Sequence, residues 1–118
     1  MIMAGSALTI TESRSGNVCI VTLAGRVDSS NADDLATSIK RLLSSGEKSI
    51  LVDLSAVLYL TSAAFRSLLV ATDEAERNAA RFALCGLAGH VRELFEVGGM
   101  LDVFTILPSR EEALARLG

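Results

Sequence analysis

The 118-residue sequence contains no tryptophan, and aromatic residues make up only 4% of it. Valine, leucine, isoleucine and alanine must therefore fill the core, because apolar residues account for 50% of the chain. No apolar run approaches the roughly 20 residues that a membrane-spanning helix needs. The first residues also lack the basic and long apolar regions of a signal peptide. We therefore expect a cytoplasmic protein with no membrane span.

Charge and cysteine usage exclude further classes of protein. The net charge is −3 and the basic residues are scattered, which argues against direct binding of nucleic acid. Cys19 and Cys85 lie in apolar, strand-like runs, and neither has a second thiol or a histidine at metal-ligand spacing. We expect both to be buried free thiols, as in a reducing compartment.

Motifs of common enzymes are missing as well. The chain has neither a G-x-x-x-x-G-K-[ST] loop nor a G-x-G-x-x-G loop after a strand. His90, the only histidine, begins a predicted helix, which favours a surface residue over a catalytic one. Asp53 partly fits the phosphoacceptor of a receiver domain, but the acidic pair and the later lysine of such domains are absent. Asp28, Asp53 and Asp102 form no metal-binding cluster, so we expect no catalysis, metal or cofactor.

Apolar residues repeat with the period of a strand and then of a helix, in alternation along the chain. The predicted strands are residues 8–11, 18–23, 50–54, 82–85 and 104–107. The predicted helices are one that buries Leu35, Ile39, Leu42 and Leu43, then residues 62–78 and 90–97, and a last helix that opens at residues 108–112. The order β-β-α-β-α-β-α-β-α predicts one α/β domain over residues 1–118, with helices on a mixed, mostly parallel sheet. Residues 1–7 are expected to form a flexible N-terminus.

Several helix ends have recognisable signals. Ser30 to Asp33 resembles a capping box for the first helix, and Ser109 with Glu112 resembles one for the last. Gly46 is expected to end the first helix. The helix over residues 62–78 is expected to bury Phe65, Leu68, Leu69, Thr72 and Ala75.

Two adjacent hydroxyl residues, Thr61 and Ser62, lie where a central strand leads into this alanine-rich helix. At such a helix start the backbone N–H groups lack partners and the helix dipole is positive. A hydroxyl residue there is usually an N-cap. The same position also suits a phosphate, because the helix end stabilises an anion. Both interpretations fit the sequence.

Three segments, in the same order, carry a resemblance to a known family. They are GRVD at residues 25–28 with ADDL at 32–35, the run from LVDLS at 51–55 to YLTSAAF at 59–65, and VRELFEVGGM at 91–100. Together they resemble the STAS domains of bacterial anti-sigma factor antagonists, also called anti-anti-sigma factors. The likeness covers residues 8 to 117.

The resemblance implies an anti-sigma factor antagonist that works by partner switching. Such a protein binds a serine-kinase anti-sigma factor, and a sigma factor is thereby released for transcription. The kinase uses ATP to phosphorylate one serine, which breaks the complex, and a PP2C-type phosphatase removes the phosphate. By position the phosphorylated residue is Ser62, with Thr61 as the alternative. The implied partner-binding residues are Asp28, Ser29, Thr61, Ser62, Ala63, Phe65 and Arg66.

The chain departs from its relatives beside this serine. Thr61 stands where many of them have aspartate, and Ala64 stands where they have glycine. The alternative interpretation is a STAS module that is never phosphorylated and acts as a scaffold in a stress-signalling, transport or lipid-associated assembly. The exposed first strand also offers an edge for pairing with a second copy of the chain.

Overall fold

The succession of strands and helices follows the predicted order. The computed structural model describes residues 7–118. Its elements are β1 (Leu8–Ser15), β2 (Val18–Val27), α1 (Ala32–Ser44), β3 (Ser49–Leu60), α2 (Ser62–Arg77), β4 (Arg81–Cys85), α3 (Gly89–Val97), β5 (Ile106–Leu107) and α4 (Arg110–Leu117). The predicted flexible N-terminus falls on residues 1–6, which lie outside the described residues, and on Ala7, whose carbonyl accepts a hydrogen bond from the Arg26 N–H at 3.0 Å.

The five strands form one sheet in the order β1-β2-β3-β4-β5. β1 runs antiparallel to β2, and the remaining neighbours are parallel. Ser15 pairs with Val18 across a two-residue turn in which Gly16 has φ +59°, a conformation that glycine adopts without strain. The mixed, mostly parallel sheet predicted from the sequence is confirmed.

Helices cover the two faces of the sheet unequally. One face packs against α1, α2 and α3 in the larger apolar cluster, where Val21, Leu23, Val52 and Leu54 point from the strands. The other face packs against α4 in a smaller cluster. Residues 50–54 of β3 are all buried, as expected for a central strand covered on both faces.

The central strands are longer than predicted. β3 continues from Leu54 to Leu60, where a short loop was predicted, and β2 continues to Val27. Two register shifts between these strands let Val57 and Leu60 reach the core. Gly25 makes this path possible, because its φ is +108° and a Cβ there would lie 2.1 Å from the Ala7 carbonyl oxygen. β1 also extends further than predicted, to Ser15, whereas β5 is shorter because Phe104 packs against Phe95 instead.

The helix ends confirm some predicted signals and correct others. Ser109 caps α4, since its hydroxyl accepts the Glu112 N–H at 3.2 Å, and Gly46 follows α1 with φ +101°. The capping box predicted at residues 30–33 is wrong, because Asn31 is the N-cap and its side chain makes no cap hydrogen bond. The prediction that Leu69 is buried is also wrong, because the residue is 37% exposed.

The two cysteines and the histidine lie where the sequence predicts them. Cys19 and Cys85 are free and buried, as predicted. His90 is exposed at the start of α3, as predicted. Within residues 7–118, none of the helices combines the length and the hydropathy that a membrane crossing demands.

Candidate functional site

The carboxyl ends of β2 and β3 bring the two predicted site segments to one edge of the sheet. Val27 and Leu60, the last residues of these strands, are paired. The Thr61 N–H extends this pairing by donating to the Val27 carbonyl at 3.0 Å. Asp28 follows Val27 and Ser62 follows Thr61, so both segments meet at this edge, as parallel strands require.

The Asp28 loop is held by its own polar groups. The Asp28 carboxylate accepts hydrogen bonds from the hydroxyl of Ser30 and from its N–H, the latter at 2.9 Å. These bonds, with the nearby charge of Arg26, lower the pKa of Asp28 below its usual value. Asn31 completes the loop, because its Oδ1 accepts the Asp28 N–H at 2.9 Å and its Nδ2 donates to the Arg26 carbonyl at 3.0 Å. The Asp28 side chain therefore stabilises this turn, and Ser29 is exposed beside it.

Thr61 is the N-cap residue of α2, yet its side chain does not cap the helix. Its backbone is extended, with φ −100° and ψ 176°, and its carbonyl accepts the N–H of Ala64 at 2.9 Å. Its hydroxyl lies 3.4 Å from the Val27 carbonyl oxygen and the residue is half-buried. Thr61 therefore joins the helix start to β2 through both its N–H and its hydroxyl.

Ser62 is the first residue of α2 and is exposed. Its hydroxyl makes no hydrogen bond with any residue of the described part of the chain. The interpretation of this hydroxyl pair as an N-cap is therefore not supported, because neither side chain accepts a helix N–H. Ser62 presents a free hydroxyl at the positive end of a helix of 16 residues.

An apolar groove of about 580 Å³ lies beside Ser62, between the start of α2 and the end of α3. Three of its lining side chains are exposed apolar residues: Tyr59 at 39%, Leu69 at 37% and Val97 at 88%. Arg66 is the one charged side chain among the described residues that line the groove. A hydroxyl, a cation and an apolar surface are thus gathered in one place.

Aromatic contacts hold the walls of this groove in position. The Tyr59 ring stacks on the His90 ring with 5.6 Å between centroids, and the guanidinium carbon of Arg26 lies 5.9 Å from the Tyr59 centroid. Phe65 packs edge-on against the buried Phe95 at 4.9 Å. Phe65 is therefore largely a packing residue that shows one side to the groove.

Comparison with known protein families identifies the family of this chain. The sequence model of the STAS domain family matches residues 9–113. The chain belongs to the STAS domain family. The resemblance predicted from the three sequence segments is thereby confirmed.

Relatives of this STAS domain include regulators of sigma factors. It is 32% identical to the protein named "Putative anti-sigma factor antagonist BtrV" from Bordetella bronchiseptica, over 92% of this chain and 93% of the relative. Its fold matches an anti-sigma factor antagonist from Mycobacterium paratuberculosis with a TM-score of 0.85 and 21% identity, over 98% of both chains. It also matches the Bacillus protein SpoIIAA in its phosphorylated form, with a TM-score of 0.70 and 18% identity, over 93% of this chain and 100% of the other.

In this STAS domain the predicted contact residues differ in exposure. Ser29, Ser62 and Arg66 are exposed at or near the sheet edge, while Ala63 and Phe65 are only half-exposed. Sequence reasoning missed the groove residues Tyr59, Leu69, Val97 and Met100. One signal for Leu69 was available, since it lies seven residues after Ser62 and so returns to the same helix face. The others depend on how α3 packs against α2.

Asp53, which partly fits the phosphoacceptor of a receiver domain, forms hydrogen bonds within the fold instead. It lies within β3, and its carboxylate accepts the Arg110 Nε–H at 2.9 Å and the Ser55 N–H at 2.9 Å. Gly86 packs directly over it, because a Cβ there would meet an Asp53 carboxylate oxygen at 2.9 Å. Within residues 7–118 no three acidic, histidine or cysteine residues lie together as metal ligands. Asp53 has a structural role in this STAS domain.

Proposed function

We propose that this STAS domain is an anti-sigma factor antagonist that binds a serine-kinase anti-sigma factor through the edge containing Ser62. Phosphorylation of Ser62 then ends the binding. Two relatives support this proposal: one is named as an anti-sigma factor antagonist, and SpoIIAA is known in a phosphorylated form. The protein acts by binding and regulates transcription that depends on a sigma factor. This activity implies a cytoplasmic location.

The free and exposed hydroxyl of Ser62 is the observation that carries the proposal. An N-cap hydroxyl would already be bound to a helix N–H, whereas the Ser62 hydroxyl has no partner among the described residues. Thr61 is the weaker candidate, because it is half-buried and its hydroxyl faces the Val27 carbonyl. Ser62 is therefore the proposed acceptor of the γ-phosphoryl group of ATP, with its hydroxyl proton lost and ADP released.

The surroundings of Ser62 explain how one phosphate can act on binding without unfolding the protein. A phosphoserine carries roughly −1.5 to −2 charges at pH 7. At the start of α2 this charge meets the positive end of the helix dipole, so the isolated domain accommodates it. A partner packed on the neighbouring apolar groove would have to desolvate the same charge, at a cost of a few kcal/mol. That cost is enough to abolish a transient complex.

The proposed partner surface extends on both sides of Ser62. Asp28 and Ser29 approach it from β2, and the Asp28 loop is preorganised by its hydrogen bonds to Ser30. Arg66 and the exposed side of Phe65 approach it from α2 and border the groove. A preorganised loop costs little entropy on binding, which favours its use as a contact. A PP2C-type phosphatase would remove the phosphate and restore this surface.

Incubation with ATP and a serine-kinase anti-sigma factor from the same genome tests the proposal. Mass spectrometry should locate one phosphate on Ser62 in the wild type and in the matched Thr61→Val control, and none in Ser62→Ala. The kinase should bind the unmodified protein and release the phosphorylated one. A PP2C-type phosphatase should then restore binding.

Two outcomes would contradict the switch. A phosphate that persists at another residue in Ser62→Ala would remove Ser62 as the acceptor. Tight binding to the kinase with no phosphate on any residue would identify a constitutive binding module instead, which is the scaffold alternative.

A further inference from the structure

Arg66 lies one helical turn after Ser62 and has no partner among residues 7–118. Both residues are exposed and both line the same groove. Arg66 makes no hydrogen bond or ion pair with any residue that the structure describes. Other arginines of the chain are engaged, since Arg14, Arg41, Arg77 and Arg110 each form an ion pair with a carboxylate.

The geometry of α2 directs Arg66 toward Ser62. Side chains at positions i and i+4 of a helix are neighbours, with about 5–6 Å between their Cβ atoms. Helical side chains also lean toward the N-terminus of the helix, which puts the turn that contains Ser62 within reach of the Arg66 side chain. A guanidinium binds phosphate oxygens through two parallel N–H groups, which makes arginine the preferred partner of a phosphate.

The charges around Ser62 leave Arg66 as the natural counter-ion. The first turn of α2 contains no acidic residue, whereas the first turns of α1 and α4 each contain two. Asp28, in the loop after β2 at the same edge, would repel a phosphate and is itself bound to Ser30. No other charged side chain of the described residues lines the groove.

From these observations we propose that Arg66 binds the phosphate carried by Ser62 and fixes it over the start of α2. This proposal rests on Ser62 being the phosphorylated residue. It adds a second consequence of phosphorylation beside the new charge, because Arg66, the one charged residue among the described residues that line the groove, is then occupied. The phosphorylated form therefore presents a groove in which the Arg66 charge is no longer free to meet a docking protein. Arg66 is a positioning residue for the phosphate.

A phosphoserine installed at position 62 during translation tests this proposal without any kinase. Phosphorus NMR of the full chain follows the second ionisation of the phosphate, which in a free phosphoserine has a pKa of about 6. We expect the Arg66 contact to lower this pKa by roughly 0.5, as an exposed charge-assisted pair does. Arg66→Gln should reverse most of the shift, and Arg66→Lys should retain part of it.

Arg92→Gln is the matched control, because Arg92 is also exposed and unpaired among the described residues but lines a different groove. It should leave the phosphate pKa unchanged. An equal shift in Arg66→Gln and wild type would overturn the proposal, since the helix end alone would then hold the phosphate. Equal changes in Arg66→Gln and Arg92→Gln would also overturn it, by showing an effect of net charge alone. Either result leaves the phosphorylation of Ser62 by a kinase to be judged separately, because the phosphate is installed without one.

Discussion

Replacing Arg110 by glutamine tests the ion pair that joins α4 to the centre of the sheet. The Arg110 guanidinium lies 2.9 Å from Asp53 Oδ2 and also donates to the Thr22 hydroxyl at 3.0 Å. The two partners differ in burial, because the Asp53 side chain is 7% exposed and the Arg110 side chain 42%. Arg110→Gln therefore leaves a buried carboxylate with Ser55 as its remaining donor.

The asymmetry of burial sets the expected free energies of unfolding. Removing one partner of a fully buried pair costs about 3–5 kcal/mol, and the exposure of Arg110 reduces our expectation to about 2 kcal/mol for Arg110→Gln. Asp53→Asn should cost less, about 1 kcal/mol, because the unpaired arginine can reach water. The loss of unfolding free energy in the Arg110→Gln/Asp53→Asn double variant should be about 1 kcal/mol smaller than the sum of the two single losses. Arg116→Gln, an exposed change on the same helix, should stay within about 0.5 kcal/mol of wild type.

The same pair predicts a dependence of stability on pH. Burial alone would raise the pKa of Asp53, but hydrogen bonds from Ser55 and Arg110 and the charge of Arg110 lower it below its usual value. The contribution of the ionised carboxylate is therefore complete above the unfolded pKa of about 4, and it is lost as the pH falls through the lower folded pKa. The stability difference between wild type and Arg110→Gln should shrink over this acidic range.

Urea-induced unfolding followed by circular dichroism measures these differences at neutral and acidic pH. A loss of stability in Arg110→Gln no larger than that in the Arg116→Gln control would contradict a stabilising role for the ion pair. A larger loss in Asp53→Asn than in Arg110→Gln would also contradict it, since the buried carboxylate would then not be the group that needs its partner.

Two further predictions concern the serine at the start of α2 and a glycine in β2. Ser62→Ala should leave the free energy of unfolding within about 0.5 kcal/mol of wild type. Ser109→Ala, which removes a hydroxyl that caps α4, should lower it by about 1 kcal/mol. Equal losses of stability in thermal unfolding would show that Ser62 does cap α2. Gly25→Ala should cost more than about 2 kcal/mol, because its φ is +108° and the new Cβ would lie 2.1 Å from the Ala7 carbonyl oxygen. Gly16→Ala, with φ +59° and open space around it, should cost about 1 kcal/mol. If Gly25→Ala were as stable as Gly16→Ala, the Ala7 carbonyl would have to move away from the new Cβ at little cost.

Much of the fold was predictable because each element carries its own periodicity. Leu35, Ile39, Leu42 and Leu43 recur on one helix face, and all four are buried in α1. The run from Ile50 to Leu54 is apolar on both faces, and it is the buried centre of the sheet. The location of Ser62 at the start of α2 followed from a strand, two hydroxyl residues and an alanine-rich helix in succession.

Other features depend on residues that meet only in the folded chain. β3 reaches Leu60 because Val57 and Leu60 find pairing partners in the bulged end of β2, which the sequence of β3 does not reveal. The capping box predicted at residues 30–33 does not form, because Asn31 takes the N-cap position and its side chain bonds to Asp28 and Arg26 instead. These interactions compete with local preferences, and tertiary context decides between them.

The sequence by itself determined the order of elements, the family and the position of the hydroxyl at a helix start, since these depend on neighbouring residues and on short motifs. Only the tertiary structure decided that the Ser62 hydroxyl has no partner in the described part of the chain, that Leu69 and Val97 form a groove beside it, and that Asp53 pairs with Arg110. The physical reason is that exposure and pairing are set by elements distant in sequence. Local periodicity shows which side of a helix is apolar, but it does not show what covers that side.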